Sequence, residues 1–375
     1  MTLVGMTRVL IAGAGIGGLA LAQALRQGGV DVAVYERDAS ARTRSQGYRI
    51  HIDRDGNAAL ADCLPPEVLA LVRATSSVNG DLVAGYTHRL ERVMVQEFPG
   101  IPTDEITHVD RETLRQSLLS GLEDVVHFGR PVTGYTVTAA GRVSIGFDEG
   151  DLLVGADGVG SAVRGRLLPH AVVRDIGLRC LYGRMPIDGS VEIPADFDRG
   201  FCWVADETGV GMGFATVRFR TRAAGRADYL MVTLVATPER LGVPDARLFA
   251  MAPEELRALV AAVTTGWHPA IRALNGRDFF PIVLRAGERV EPWPSGPVTL
   301  LGDAIHTMPP TGGVGANTAL QDAATLARAV LTPRPLLEAV AAYERVMLPR
   351  GFATVERSLA MAGQMLRSGG ARPAP

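Results

Sequence analysis

The 375-residue sequence predicts an α/β protein in which a parallel sheet is interwoven with a second, β-rich layer and closed by C-terminal helices. Three observations carry that reading. "RVLIAG" (8–13) is a short apolar run of the kind that becomes a buried parallel strand, and glycines and a helix-like stretch follow it. Between residues 180 and 236 four segments read as successive strands separated by turn residues. Beyond residue 315 the pattern is helical, with three stretches expected, the last being "GFATVERSLAMAGQMLRS". The length suits one large domain or two of ordinary size.

Composition narrows the class. The chain is 47% hydrophobic with a formal charge of -2, so it reads as a globular protein with no basic excess for nucleic acid. Cys63, Cys180 and Cys202 are odd in number and form no CxxC pair, which fits a reducing compartment and argues against a structural zinc site. The apolar run "VLIAGAGIGGLALAQAL" is broken by glycines, so it reads as strand–turn–helix and not as a membrane span or a leader. The expectation is a cytoplasmic protein.

The first βαβ unit runs from "RVLIAG" through "AGIGGLALAQALRQGG" to "VDVAVYERD". Gly13, Gly15 and Gly18 stand in G-x-G-x-x-G spacing: the first permits a tight turn, the second lets backbone approach a pyrophosphate, and the third lets helix and strand pack closely. Glu36 ends the second strand, where a carboxylate can accept hydrogen bonds from both hydroxyls of an adenosine ribose. This motif alone does not separate NAD from FAD.

Two further turns bear on the cofactor. "GDLLVGADGVGSAVRGRLL" (150–168) holds a strand ending at Asp157-Gly158, with Ser161 and Arg164 at the head of a helix. "HVDRETLRQSLLSGL" (108–122) places Arg111 at a helix start, with Asp110 as its N-cap. "GDAIHTMPPTGGVGAN" (302–317) follows the strand-like "PVTLL" and leads into a helix. A helix N-terminus offers free N–H groups and positive partial charge, which suit the pyrimidine edge of a flavin. A plain NAD-dependent dehydrogenase would leave these last turns without a role.

The combination of "GAGIGG", "ADGVGSAVR" and "GDAIHTMPPTGGVGAN" resembles the class A, single-component FAD-dependent monooxygenases, a family that includes p-hydroxybenzoate hydroxylase, salicylate hydroxylase and the tetracycline-inactivating flavin monooxygenases. The resemblance implies a Rossmann-like FAD-binding domain of the p-hydroxybenzoate hydroxylase type, interwoven with a β-sheet substrate domain. The expected FAD-binding domain is discontinuous (1–75, 100–175 and 285–330), with a substrate domain over 76–99 and 176–284, C-terminal helices over 331–368 and a disordered tail over 369–375.

It also implies roles. Gly13, Gly15 and Gly18 would bind the pyrophosphate, Glu36 the ribose, and Arg37 would lie near the adenine. Arg111 would contact the ribityl–phosphate region, and Asp157 and Gly158 would serve FAD and, transiently, NADPH or NADH. Asp303 would bind ribityl or phosphate oxygens, and Pro310, Gly313, Gly315 and Asn317 would shape the isoalloxazine end. His306 matches the family's Gly-Asp-x-x-His pattern, where a structural or packing role is usual. The activity implied is insertion of one oxygen atom from O2 into a small aromatic or polyketide-like molecule through a flavin C4a-hydroperoxide. No acid or base residue is obligatory in that scheme.

Candidates for the substrate pocket are Arg49, Tyr182, Arg184, Trp203, Met212 and Phe214, with Arg184 suited to holding a phenolate or carboxylate. Arg49 and His51 lie in "YRIHI", one of them expected to reach the active site. Halogenation is disfavoured: the stretch "GWHPAI" has one Trp, and all 38 Lys+Arg residues are Arg. The remaining alternative is an FAD-binding protein that catalyses a non-redox cyclisation or acts as a scaffold. Partners are expected to be the small substrate and O2, without nucleic acid or membrane, in a monomer or weak homodimer.

Overall fold

A computed structural model describes residues 7–367 apart from 42, 44–47, 79, 99, 101, 103–104 and 222–226; the expected tail lies outside the described residues. In chain order the elements that build the site are β1 (Arg8–Ala12), α1 (Ile16–Gln27), β2 (Asp31–Glu36), β3 (Arg49–Ile52), α2 (Arg54–Cys63), β4 (Leu82–Thr87), β5 (Arg92–Glu97), β6 (Thr107–Asp110), α3 (Arg111–Leu119) and β7 (Val126–Phe128). There follow β8 (Leu152–Gly155), α4 (Ala162–Leu167), β9 (Val173–Pro186), β10 (Gly200–Ala205), β11 (Gly211–Val217), β12 (Tyr229–Ala236) and α5 (Pro253–Val263). The chain then runs through β13 (Arg277–Gly287), β14 (Val298–Leu300), α6 (Asp303–His306), α7 (Gly315–Leu331) and α8 (Leu336–Arg367).

The near-continuous apolar runs of β1 and β8 form the middle of a five-stranded parallel sheet, ordered β14-β8-β1-β2-β7. Both faces are covered, so no alternation is needed and Val9, Leu10 and Ile11 are wholly buried. The chain passes from β1 to β2 on one side, whereas β8 and β14 lie on the other. That reversal opens a crevice beyond the carboxyl ends of β1 and β8, the usual ligand position in such sheets.

The second sheet has seven strands, ordered β13-β9-β12-β11-β10-β4-β5, antiparallel except for the β10–β4 pair. Its strands alternate, and the two faces pack differently. Leu181, Met212, Phe214, Val232 and Phe279 form a core with Leu256 and Val260 of α5. On the opposite face Tyr182, Ala215, Tyr229 and Met231 cluster with Tyr48, which also packs against the first sheet's core. Met212 and Phe214 therefore do not line a pocket beside Tyr182, contrary to expectation. A period of two separates the faces without saying which is covered by helices.

The C-terminal segment also differs from expectation, with two helices beyond residue 315 instead of three. Pro349 sits inside α8, whose 32 residues run through it without a break. A proline in a helix interior costs about 3 kcal/mol. Tyr343, Met347, Phe352 and Val355 on either side of it are buried in the first core, and that packing offsets the loss. Near its far end Met365 accepts a hydrogen bond at its carbonyl from Trp203 Nε1 (3.2 Å), so α8 spans both sheets. No helix among the described residues is long and apolar enough to cross a membrane.

Phe214→Ala removes a side chain with no exposed surface from the helix-facing core. It is expected to cost about 3–5 kcal/mol in urea unfolding. A cost under about 1 kcal/mol would mean that Phe214 instead borders open space.

Candidate cofactor and substrate site

Three turns leave the adjacent parallel strands β1, β8 and β14 at the same edge of the sheet. They are stitched together by backbone: Ala156 N–H donates to Ala12 O (2.7 Å) and Leu301 N–H to Gly155 O (3.0 Å). Gly13 has φ +107°, and a Cβ there would stand 2.4 Å from Ala156 O, so only glycine fits. A Cβ at Gly18 would stand 2.2 Å from Gly13 O. Gly15 is different, since a Cβ there would meet nothing nearer than 4.0 Å. The turn is therefore closed beneath Gly13 and Gly18 and open above Gly15, where the first N–H groups of α1 lack intrahelical acceptors.

Glu36 is buried at the end of β2, where its carboxylate accepts from Ala14 N–H (2.9 Å) and Asp38 N–H (3.0 Å). Arg37, next to it, is exposed. The arginine that organises this end is Arg115, which sequence reasoning passed over. Its Nε donates to Ala14 O (2.8 Å), Nη1 to Ala41 O (2.8 Å), and Nη2 lies 3.7 Å from Glu36. Arg111, one helical turn earlier, donates its N–H to Tyr48 O (2.9 Å) and stacks its guanidinium over the Tyr48 ring at 5.7 Å. The one-turn spacing within α3 was the available signal. Asp110 caps α3 as expected, accepting from Thr113 N–H (2.9 Å).

At the second turn Asp157 Oδ2 accepts from Ala162 N–H (2.8 Å) and Val163 N–H (3.3 Å) at the head of α4. Its Oδ1 is buried and unpartnered among the described residues. Beside it, a Cβ at Gly158 would meet nothing within 4 Å. Arg164 ties this turn to the third, donating to Val159 O and Ala304 O, both at 2.8 Å.

The third turn is braced from behind. His306 is wholly buried, with Nε2 2.5 Å from Asp322 Oδ2. Asp322 also accepts from Gly302 N–H (2.9 Å) and from Arg350 Nη2 of α8 (2.8 Å). Burial pulls the His306 pKa down, but the charge and hydrogen bond of Asp322 outweigh it and the net shift is upward. Burial likewise pushes Asp322 up, and His306, Arg350 and the Gly302 N–H bring it below the ordinary carboxylate value. His306 faces the helix behind the turn: a Cβ on Gly351 would stand 2.4 Å from its ring. Its geometry is that of a brace.

Asp303 reaches solvent along the crevice wall, and desolvation by the protein around it raises its pKa despite His306 and Arg111. Pro310 opens a 3-10 turn, Pro310–Gly312, and Gly313 follows with φ +63°. A Cβ on Gly315 would come no closer than 3.7 Å to any atom. Asn317 is buried, and its amide donates to His51 O (2.9 Å) and Gly313 O (3.2 Å) while accepting from Asp53 N–H (3.1 Å). It fastens the β3–β6 ribbon to the third turn.

That ribbon faces the second sheet. Arg49 and His51 both lie on the facing side, as residues two apart must. Tyr48 stacks on Tyr182 (centroids 4.8 Å apart) and Tyr182 on Phe280 (5.8 Å). Arg184 sits over the Tyr229 ring at 5.4 Å. Tyr182, Arg184 and Arg49 thus come together, while Trp203 lies on the same face nearer the end of α8. A separate surface hollow bordered by Gln27, Asp62 and Arg328 lies at the far ends of α1 and α7, away from the glycine turns.

The residues present fit an adenine dinucleotide with a flavin. The space over Gly15 and Gly158, the unpartnered Asp157 oxygen and the N-termini of α1 and α7 form one line along the strand ends. This fold and site define a dinucleotide-binding flavoprotein.

Comparison with known proteins gives the family. Residues 149–357 match the model described as FAD binding domain, and residues 11–65 match the NAD(P)-binding Rossmann-like domain. The chain is 32% identical over 402 aligned residues to the dual O-methyltransferase/FAD-dependent monooxygenase CTB3 of Cercospora beticola, covering 93% of this chain and 45% of that protein. It spans about half the length of the first curated relatives it matches. It is 30% identical to the aurachin C monooxygenase/isomerase of Stigmatella aurantiaca, covering 91% of this chain and 85% of that one. A solved structure from Photorhabdus luminescens, described as an FAD-containing monooxygenase, superposes with a TM-score of 0.85 at 30% identity, over 96% and 98% of the two chains. The chain belongs to the class A FAD-dependent monooxygenases. Its cofactor is FAD, with NAD(P)H the family's reductant.

Two outcomes are expected. Gly15→Ala leaves stability within about 0.5 kcal/mol, because its Cβ has room, yet lowers FAD content in the purified protein; unchanged FAD content would remove Gly15 from the cofactor contact. His306→Gln separates a charged brace from a neutral one. A raised folded pKa gives stability that is full below the ordinary value of 6.5 and lost as pH rises through the folded value. The substitution is therefore expected to cost about 3 kcal/mol at mildly acid pH and less at alkaline pH. A cost that does not change with pH would mean that His306 is neutral.

Proposed function

We propose that this protein is an NAD(P)H-dependent monooxygenase that inserts one oxygen atom from O2 into a small aromatic or polyketide-like substrate. The observation that carries the reading is the juxtaposition of three glycine turns at adjacent strand ends with a wall of stacked aromatic rings and arginines. Gly13, Gly15 and Gly18 would hold the pyrophosphate, Glu36 the ribose and Arg37 the neighbourhood of the adenine. Arg111 and Asp303 would serve the ribityl–phosphate stretch, and Asp157 with Gly158 the crossing between cofactor and reductant. The segment Pro310, Gly313, Gly315 and Asn317 would border the ring. The relatives' printed activities support this reading and do not favour the cyclase or scaffold alternative.

When bound, FAD would supply the redox and oxygen-transfer chemistry, with NAD(P)H as reductant and O2 as the oxygen source. The chain's own residues orient and shield. Tyr48, Tyr182 and Phe280 form a stacked aromatic cluster whose half-buried outer members, Tyr48 and Phe280, would present apolar surface to a planar substrate. The α7 N-terminus would offer backbone dipoles to negative charge on a reduced ring held beside it.

We further assign residues 1–75, 100–175 and 285–330 to the FAD-binding unit and 76–99 and 176–284 to the substrate unit. A cytoplasmic location is supported by the three cysteines, all buried and unbridged. A monomer or weak homodimer is the oligomeric state consistent with this reading.

The test is the visible absorbance spectrum of the purified protein before and after NADPH is added in air. Bleaching of a flavin spectrum followed by recovery is expected. No flavin even after reconstitution, or substrate conversion that continues without NAD(P)H or O2, would overturn the proposal.

A further inference from the structure

The polar face of the β3–β6 ribbon is mostly self-satisfied. His51 Nδ1 lies 3.1 Å from His108 Nε2. Asp110 accepts from Thr113 N–H and hydroxyl and from the Tyr229 hydroxyl (2.8 Å). Arg49 is the exception. Its Nε is buried, and the guanidinium has no ion pair and no hydrogen-bond acceptor among the described residues. Desolvation pulls its pKa down to about 10, and its charge contributes to holding the neighbouring His51 and His108 imidazoles below their ordinary value. Arginine stays protonated in proteins, so the ribbon presents a half-buried cation whose Nε has no partner among the described residues.

The position of that cation is informative. Arg49 lies near Tyr229, whose ring carries Arg184 on it, and directly follows Tyr48 in the chain, which stacks on Tyr182 beside Phe280. Through His51 the same strand is fastened to the third turn: Asn317 donates to His51 O, and a Cβ on Gly313 would stand 3.5 Å from His51 Cβ. An anion that paired with Arg49 would lie beside the aromatic cluster and near the third turn.

We propose that Arg49 is the counter-ion for an oxyanion, a carboxylate or an ionised phenol or enol, carried by a planar aromatic substrate seated against Tyr48, Tyr182 and Phe280. This rests on the monooxygenase reading and adds the charge of the substrate to it. Arg184 lies across Tyr229 and extends the positive wall.

Binding to the oxidised holoenzyme is followed by perturbation of the flavin spectrum at one slightly alkaline pH. Two probe pairs are used: salicylate against salicylamide, and 4-nitrophenolate against 4-nitroanisole. The wild type is expected to bind at least one anion roughly tenfold or more tighter than its neutral analogue. Which pair discriminates separates a carboxylate from a phenolate or enolate. Arg49→Gln loses the preference at unchanged FAD content, and Arg49→Lys recovers part of it. With no probe present, Arg49→Gln melts at a higher temperature than wild type, because it removes an unpaired buried charge; the anion raises the wild-type Tm and leaves that of the variant unmoved. Equal binding of anion and neutral analogue, or no binding of either anion, overturns the proposal, as does loss of FAD on Arg49→Gln, which would make Arg49 a cofactor contact. NADPH reduction of the same preparation tests the underlying reading separately: a reducible flavin with no anion preference sinks this inference alone.

Discussion

The backbone of Gly13 lies against the carbonyl of Ala156, and the rest of the site depends on that approach. Parallel pairing of β1 with β8, and of β8 with β14, brings three turns from residues 13, 157 and 302 to one sheet edge. No side chain could stand between the first two turns without driving β1 and β8 apart. The closed floor beneath Gly13 and Gly18 and the open space above Gly15 follow from the same contact. Arg115 and Arg164 then fix the turns laterally, each by hydrogen bonds to carbonyls far away in the chain.

Ala304, Ile305 and Met308 pack the third turn into the first core, and a charged support is added to that packing. A buried His306–Asp322–Arg350 chain supplies it from the side away from the crevice. Asp322 holds the Gly302 N–H, so the charge network positions the backbone where Asp303 begins. Because Arg350 belongs to α8, the helix that crosses to the second sheet also braces the turn. The second sheet and the glycine turns are thereby mechanically linked, through Trp203 at the end of α8 and through Arg350, nearer its middle, which holds Asp322.

The β3–β6 ribbon is the third component. One of its faces is apolar and belongs to the first core through Ile50, Ile52 and Val109. The other is polar, buried and turned to the second sheet. Burying that much polarity is unfavourable unless each group is satisfied, and all but Arg49 find partners within the ribbon or on Tyr229. That contrast, among the described residues, is the ground on which Arg49 is proposed as the counter-ion of a bound anion.

The local sequence determined the βαβ unit, the glycine turns and the alternating strands, because these rest on short-range causes: backbone freedom at Gly13, apolar runs that suit a sheet covered on both faces, and a period of two. Asp110 as a cap and the two polar positions of "YRIHI" were legible for the same reason. Tertiary structure decided what depends on distant partners. Met212 and Phe214 carry the same pattern as pocket residues, and only α5 packing on their face makes them core. Pro349 reads locally as a helix breaker, and only burial of the residues around it keeps α8 whole. His306 beside a flavin-type turn invites a chemical role, yet Asp322 and Arg350, 16 and 28 side-chain positions' worth of sequence apart from their partners, make it a brace. Arg115 and Arg49 are ordinary arginines in sequence, and what distinguishes them is that Arg115 finds carbonyl acceptors and Arg49 finds none among the described residues, a difference set by long-range packing.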